Sequence, residues 1–195
     1  IDGEHYWDGG LVSNTPLQYV LDYYPRRSRL TFQVDLFHGH GQLPENLDQV
    51  SEREKDIRYA SRTRVNTEVF REKHDVRHAI NEFFKILPDD LAKTEQAKQL
   101  YAHGCVTEMD IVHLIYRPHD PQGSSKDYEF SRGTMEARWD QGKSDAMTTL
   151  SAMPWLAPKS REVGVRVFDV MHDILIAEKQ GNSGTAKVGD GGKSA

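Results

Sequence analysis

Two short apolar segments constrain this chain more than any other feature. In RLTFQVDLF, Arg29 to Phe37, the residues Leu30, Phe32, Val34 and Leu36 alternate with Thr31, Gln33 and Asp35. A period of two is that of a half-buried strand. DIVHLIY, Asp110 to Tyr116, is instead almost continuously apolar and β-branched, and Pro118 ends it. Such a run reads as a strand buried on both faces, with His113 inside it. Between the two lies a long stretch of helical periodicity, from about Leu47 to Leu87. Val76, Ile80, Phe83, Phe84 and Leu87 form one apolar stripe there, and Ile57, Val65 and Val69 a weaker one.

The remaining elements follow from stop and start signals. Asn14-Thr15-Pro16 reads as a helix start, with Asn14 or Thr15 as the cap and Pro16 at the first helical position, where a missing N–H costs nothing. Leu17, Val20, Leu21 and Tyr24 continue it until Pro25. Pro88 and Asp89-Asp90 restart the chain, and a helix is expected to run to Tyr101 and stop at Gly104. Met135, Trp139, Ala146 and Leu150 predict another helix, weakened at Gly142. Val163, Val167, Val170, Met171 and Ile174 predict the last one. After Lys179 the sequence GNSGTAKVGDGGKSA lacks apolar anchors and is expected to be a disordered tail.

The 195 residues carry a formal net charge of -5, which argues against nucleic acid as a partner. The single cysteine, Cys105, leaves no internal disulfide to form. No apolar run approaches the roughly 20 residues that span a bilayer. Compartment stays open, as do contact with a membrane surface and oligomeric state.

The stretch HYWDGGLVSNTPL, His5 to Leu17, holds the main candidate site. On local physics Asp8-Gly9 is a hairpin corner, because a type I′ turn needs positive φ at both central residues. A second reading makes Asp8 a reactive carboxylate on a tight glycine bend that lets a partner hydroxyl approach. Over Asp8 to Leu17, D-G-G-L-V-S-N-T-P-L resembles the aspartate motif of the patatin-like phospholipases, with Asp8, Gly9, Gly10, Asn14 and Pro16 matching. DIVHLIYR and SKDYEFSRGTMEARWDQGKSDAMTTL are similar to the C-terminal region of a bacterial subgroup of that family.

The resemblance implies a serine–aspartate dyad that hydrolyses acyl esters of lipids, with Asp8 as base and no metal or organic cofactor. It implies an α/β fold as the C-terminal portion of a patatin-like domain. Residues 1–46 would be the end of the catalytic domain, 47–180 a helical extension with one returning strand, and 181–195 the tail. No G-x-S-x-G occurs in the chain; Gly181-Asn182-Ser183-Gly184 misses it by one position. The chain opens on Ile1 and is expected to need a preceding half that supplies the serine and the oxyanion loop. Alone it is expected to be inactive.

Other signals have simpler readings. His74 and His78 share H-D-x-x-H spacing but lie among charged residues, the composition of a solvated face. His38 and His40, two apart at a strand end, would be the histidines of a Ser-His-Asp triad, whereas the family resemblance calls for none. His113 reads as a hydrogen-bonded core residue. Trp139 and Trp155 read as core or interface anchors. Gly191-Gly192-Lys193-Ser194 lacks the earlier glycine of a P-loop. The competing functional class is a non-catalytic helical protein-interaction module, in which Asp8 is only a corner.

Overall fold

A computed structural model describes residues 1–11, 13, 15–118, 123, 128–159 and 163–185. Three parallel strands form one sheet in the order β1-β2-β3: β1 Arg29–Asp35, β2 Met109–Ile115 and β3 Val165–Phe168. Helices α2 (Leu47–Phe84), α3 (Asp89–Ala92) and α4 (Glu95–Tyr101) carry the chain from β1 to β2, and α5 (Arg132–Ala152) from β2 to β3. Helix α1 (Leu17–Asp22) precedes the sheet and α6 (Val170–Thr185) follows it. This is the α/β architecture expected, a small parallel sheet with a largely helical extension. The register is simple: Arg29 faces Met109, Gln33 faces His113, and Met109 faces Val165.

Strand β2 is central, as its apolar run requires, and Met109, Ile111 and Val112 are fully buried. Strand β1 inverts the expected orientation. Gln33 and Asp35 are buried, while Leu30, Phe32 and Val34 are exposed. The cause is what packs on each face. Core residues Leu17, Leu21 and Phe70 of α1 and α2 cluster with Met109, Ile111 and Val165, which lie in register with the polar side of β1. On the other face Phe32, still largely exposed, meets Trp155 ring edge to ring face at 5.6 Å. So Trp155 is an anchor, whereas Trp139 is 74% exposed on α5.

Helix α2 is one continuous 38-residue helix, capped by Asn46, whose side chain accepts from Gln49 N at 2.9 Å. Its buried stripe is not the apolar one. Glu52, Asp56, Thr63, Thr67, Phe70, His74 and His78 face inward, while Ile57, Val65, Val69, Val76 and Phe83 are exposed. Burial of polar groups is tolerated when they find partners, and most do here, the buried Nδ1 of His74 having none among the described residues. Thr63 Oγ1 meets Thr15 Oγ1 at 2.7 Å, Thr67 donates to the Thr63 carbonyl, and Glu52 accepts from Gly123 N at 2.8 Å.

Smaller corrections have local causes. Thr15 is held by Thr63, so it does not cap α1; Pro16 occupies the N-cap and Asn14 lies outside the described residues. The single helix expected from Asp89 to Tyr101 is two, because Thr94 caps a fresh start through Ala97 N. Gly142 does not interrupt α5. Val163 to Val167 belongs to a strand entry and β3, since Val163, Val165 and Val167 alternate with Gly164 and Arg166. Helix α6 continues past Lys179 to Thr185, in place of the disordered tail expected there, and residues 186–195 lie outside the described residues.

Candidate functional site

Asp8 sits on the surface, not in a hairpin. Its Oδ1 accepts from Gly10 N at 2.8 Å, and Gly9–Leu11 winds into a short 3-10 turn. That bond closes an Asx turn, the local alternative that aspartate offers a backbone. Gly9 takes no positive φ, which rules out the type I′ corner, and a Cβ on it would meet open space. Among the described residues Asp8 has no ion-pair partner, and its second oxygen is open. Beyond the turn the chain is pinned: Thr15 bonds α2, and Leu17 and Leu21 are buried in the core. Asp8, Gly9 and Gly10 therefore form one turn, and Pro16 opens the helix behind it.

A cleft of about 760 Å³ lies elsewhere, at the carboxyl ends of the strands. The loop after β1 (His38 to Glu45), Arg117 and Pro118 after β2, and His172 of α6 after β3 all line it. In open parallel sheets this edge is where ligands bind, because loops diverge there. Asp56, buried on α2, stands 3.2 Å from His38 Nδ1, off the direction of a hydrogen bond. Arg53 donates to the carbonyls of His38 and Gly39 and so fixes the loop. His40 and His172 stack nearly parallel at 5.7 Å. Sequence reasoning named His38 and His40 but missed Asp56, Arg53, Arg117 and His172. No local pattern flags them, since they converge only when three strand ends meet.

Beneath the cleft the sheet carries a buried polar row. Among the described residues His113 Nε2 and both amide atoms of Gln33, its register partner, have no hydrogen-bond partner. Burial holds the His113 pKa below its ordinary value, against the pull of Asp169 and Asp35. The core role expected for His113 holds, but without the hydrogen bond.

His74 and His78 are buried rather than solvated. Both Nε2 atoms lie 2.7 Å from the carbonyl oxygen of Thr107, at the opposite edge of the sheet. Each can donate there as the Nε2–H tautomer. The rings are 4.9 Å apart, and Phe70 stacks on His74. Burial lowers the His74 pKa, opposed by the Thr107 bond. Their role is structural packing of α2 on the strands. Among the described residues no group of three His, Cys, Asp or Glu is arranged to hold a metal, and no helix is long and apolar enough to cross a membrane.

A family model described as patatin phospholipase matches residues 57–162, more than half of the chain. No curated protein and no solved structure matches it.

Proposed function

Because the chain belongs to the patatin phospholipase family, we propose that it is part of a serine acyl-ester hydrolase acting on a lipid ester, with Asp8 as the base of a Ser–Asp dyad. The serine comes from outside these residues, which contain no G-x-S-x-G. One observation carries the reading: the Asp8 turn spends one oxygen on Gly10 N and leaves the other open. A hydroxyl can reach that oxygen because Gly9 puts no side chain beside it. Asp8 would take the serine proton as the serine oxygen attacks the ester carbonyl. Asp8 then gives that proton to the alcohol as it leaves; the freed carboxylate deprotonates a water that attacks the acyl-serine, and the proton passes to the serine oxygen as the acid is released. The family match begins at Ile57, so it supports the enzyme class and not the role of Asp8.

The test is Asp8→Asn in the full-length protein, assayed on a soluble short-chain ester. Asparagine keeps an oxygen for the Gly10 bond but cannot accept the proton. Turnover should fall by about 10²–10⁴-fold with the melting temperature unchanged. Near-normal turnover would overturn the assignment.

The helical-module reading has its own support, since Val65, Val69 and Val76 are exposed along α2. It predicts that Asp8→Asn is silent, while Val69→Lys abolishes binding of a protein partner.

A further inference from the structure

We propose that the surface around the end of α1 docks on a bilayer containing anionic lipids. Leu17 and Leu21 anchor α1 inward, and its outward face should then be charged or polar. It carries aromatic residues instead. Tyr19, Tyr23 and Tyr24 are 75%, 60% and 79% exposed, with Val20 beside them at 44%. The Tyr19 and Tyr23 rings stand 6.4 Å apart on successive turns. Tyrosine pairs an apolar body with a polar tip, and favours the level of lipid headgroups.

The charge beside this face is mainly positive, and the carboxylate of Glu108, whose backbone bonds Ser28 and Arg29, lies 3.9 Å from Lys159. Arg26 and Arg27 follow directly and form no ion pair among the described residues; the Nε of Arg26 is buried without a partner. The one carboxylate on α1, Asp22, is already held by Lys73 at 2.7 Å and Arg77 at 2.8 Å. A chain of net charge -5 thus gathers uncompensated cations at one corner, next to exposed rings. Arginines near a membrane surface gain from negative headgroups, and α1 has six residues, too few to insert deeply. The patch would therefore rest in the headgroup layer and hold the protein at its substrate. The choice of a bilayer as partner rests on the lipid-ester reading above, although it uses different residues.

The experiment is co-sedimentation of the full-length protein with vesicles of ether-linked lipids, which cannot be hydrolysed as acyl esters. Ether-linked phosphatidylcholine alone is compared with its mixture with ether-linked phosphatidylserine. The protein should bind the mixture, and added salt should weaken binding. Arg26→Gln with Arg27→Gln should lower the partition on the order of tenfold to thirtyfold. Tyr19→Ser with Tyr23→Ser and Tyr24→Ser should lower it at high salt as well. Arg27→Gln alone, at an exposed position, guards against a folding defect, with thermal melts as the control. Equal binding to both vesicles, or unchanged partition in both variants, overturns the proposal. So does a tyrosine variant that dissociates a dimer while vesicle binding is unaffected, which would assign the face to a second copy. Wild-type protein that binds vesicles as expected but leaves a soluble ester intact would sink the hydrolase reading and spare the docking surface.

Discussion

At Asp22 burial works to raise the pKa, yet hydrogen bonds from Arg77 and Lys73 hold the carboxyl down to about 2. The charged form is what the fold keeps. An unfolded aspartate titrates near 3.8, so this contribution is complete above that value and is lost as pH falls through about 2. The group still touches water, and screening reduces its worth to about 1 kcal/mol. Asp22→Asn should cost that much in urea unfolding at neutral pH and almost nothing at pH near the folded-state value. Asp8 differs in kind. Among the described residues it has no ion-pair partner, and on the proposed dyad its substitution should move turnover and not stability. The sequence marked Asp8 through its glycines. It could not mark Asp22, whose partners come from α2, about fifty residues along the chain.

The elements themselves were largely legible, but their faces were not. Prolines marked the ends of α1, and helical periodicity located α2 and α5 to within a few residues, because both signals come from residues close along the chain. The inward face of α2 escaped because hydropathy scores a histidine as solvated. Here two histidines share one carbonyl and pack tightly under β3. A Cβ at Gly164 would lie 2.8 Å from both imidazole rings, which are buried and hydrogen-bonded and cannot swing aside. Gly164→Ala should therefore cost about 1–3 kcal/mol, read as a lower urea midpoint with an unchanged slope. The same seam sets an acid limit. The folded state keeps His74 neutral below its ordinary value of 6.5, while the unfolded chain takes up the proton there. Stability should be full above about that pH, fall below it, and level off once the folded-state value is passed. His74→Phe should flatten that slope.

On the scale of the whole molecule, the sheet is half dressed. Its α2 side is closed, while Leu30 and Val34 of β1 and Leu36 just after it stand 44%, 63% and 55% exposed, and β1 is an edge strand of the described sheet. Exposed apolar strands at an open edge recruit other chains. The 195-residue chain alone should associate in sedimentation velocity, and Val34→Lys should return it toward a monomer. Supplying a covering half should have the same effect if the hydrolase reading holds.

What the sequence by itself determined is the succession of helices and strands and the doubly buried character of β2. Those depend on backbone preferences and on runs of side chains that are close in the chain. It also singled out the glycine-borne aspartate, since a turn is a local event. Only the tertiary structure decided which face of β1 and α2 turns inward, that β3 is a strand, and that three strand ends enclose a cleft. Burial is settled by what packs opposite. A polar side chain that finds its partner across the fold can be covered, while a valine with nothing opposite it stays in water.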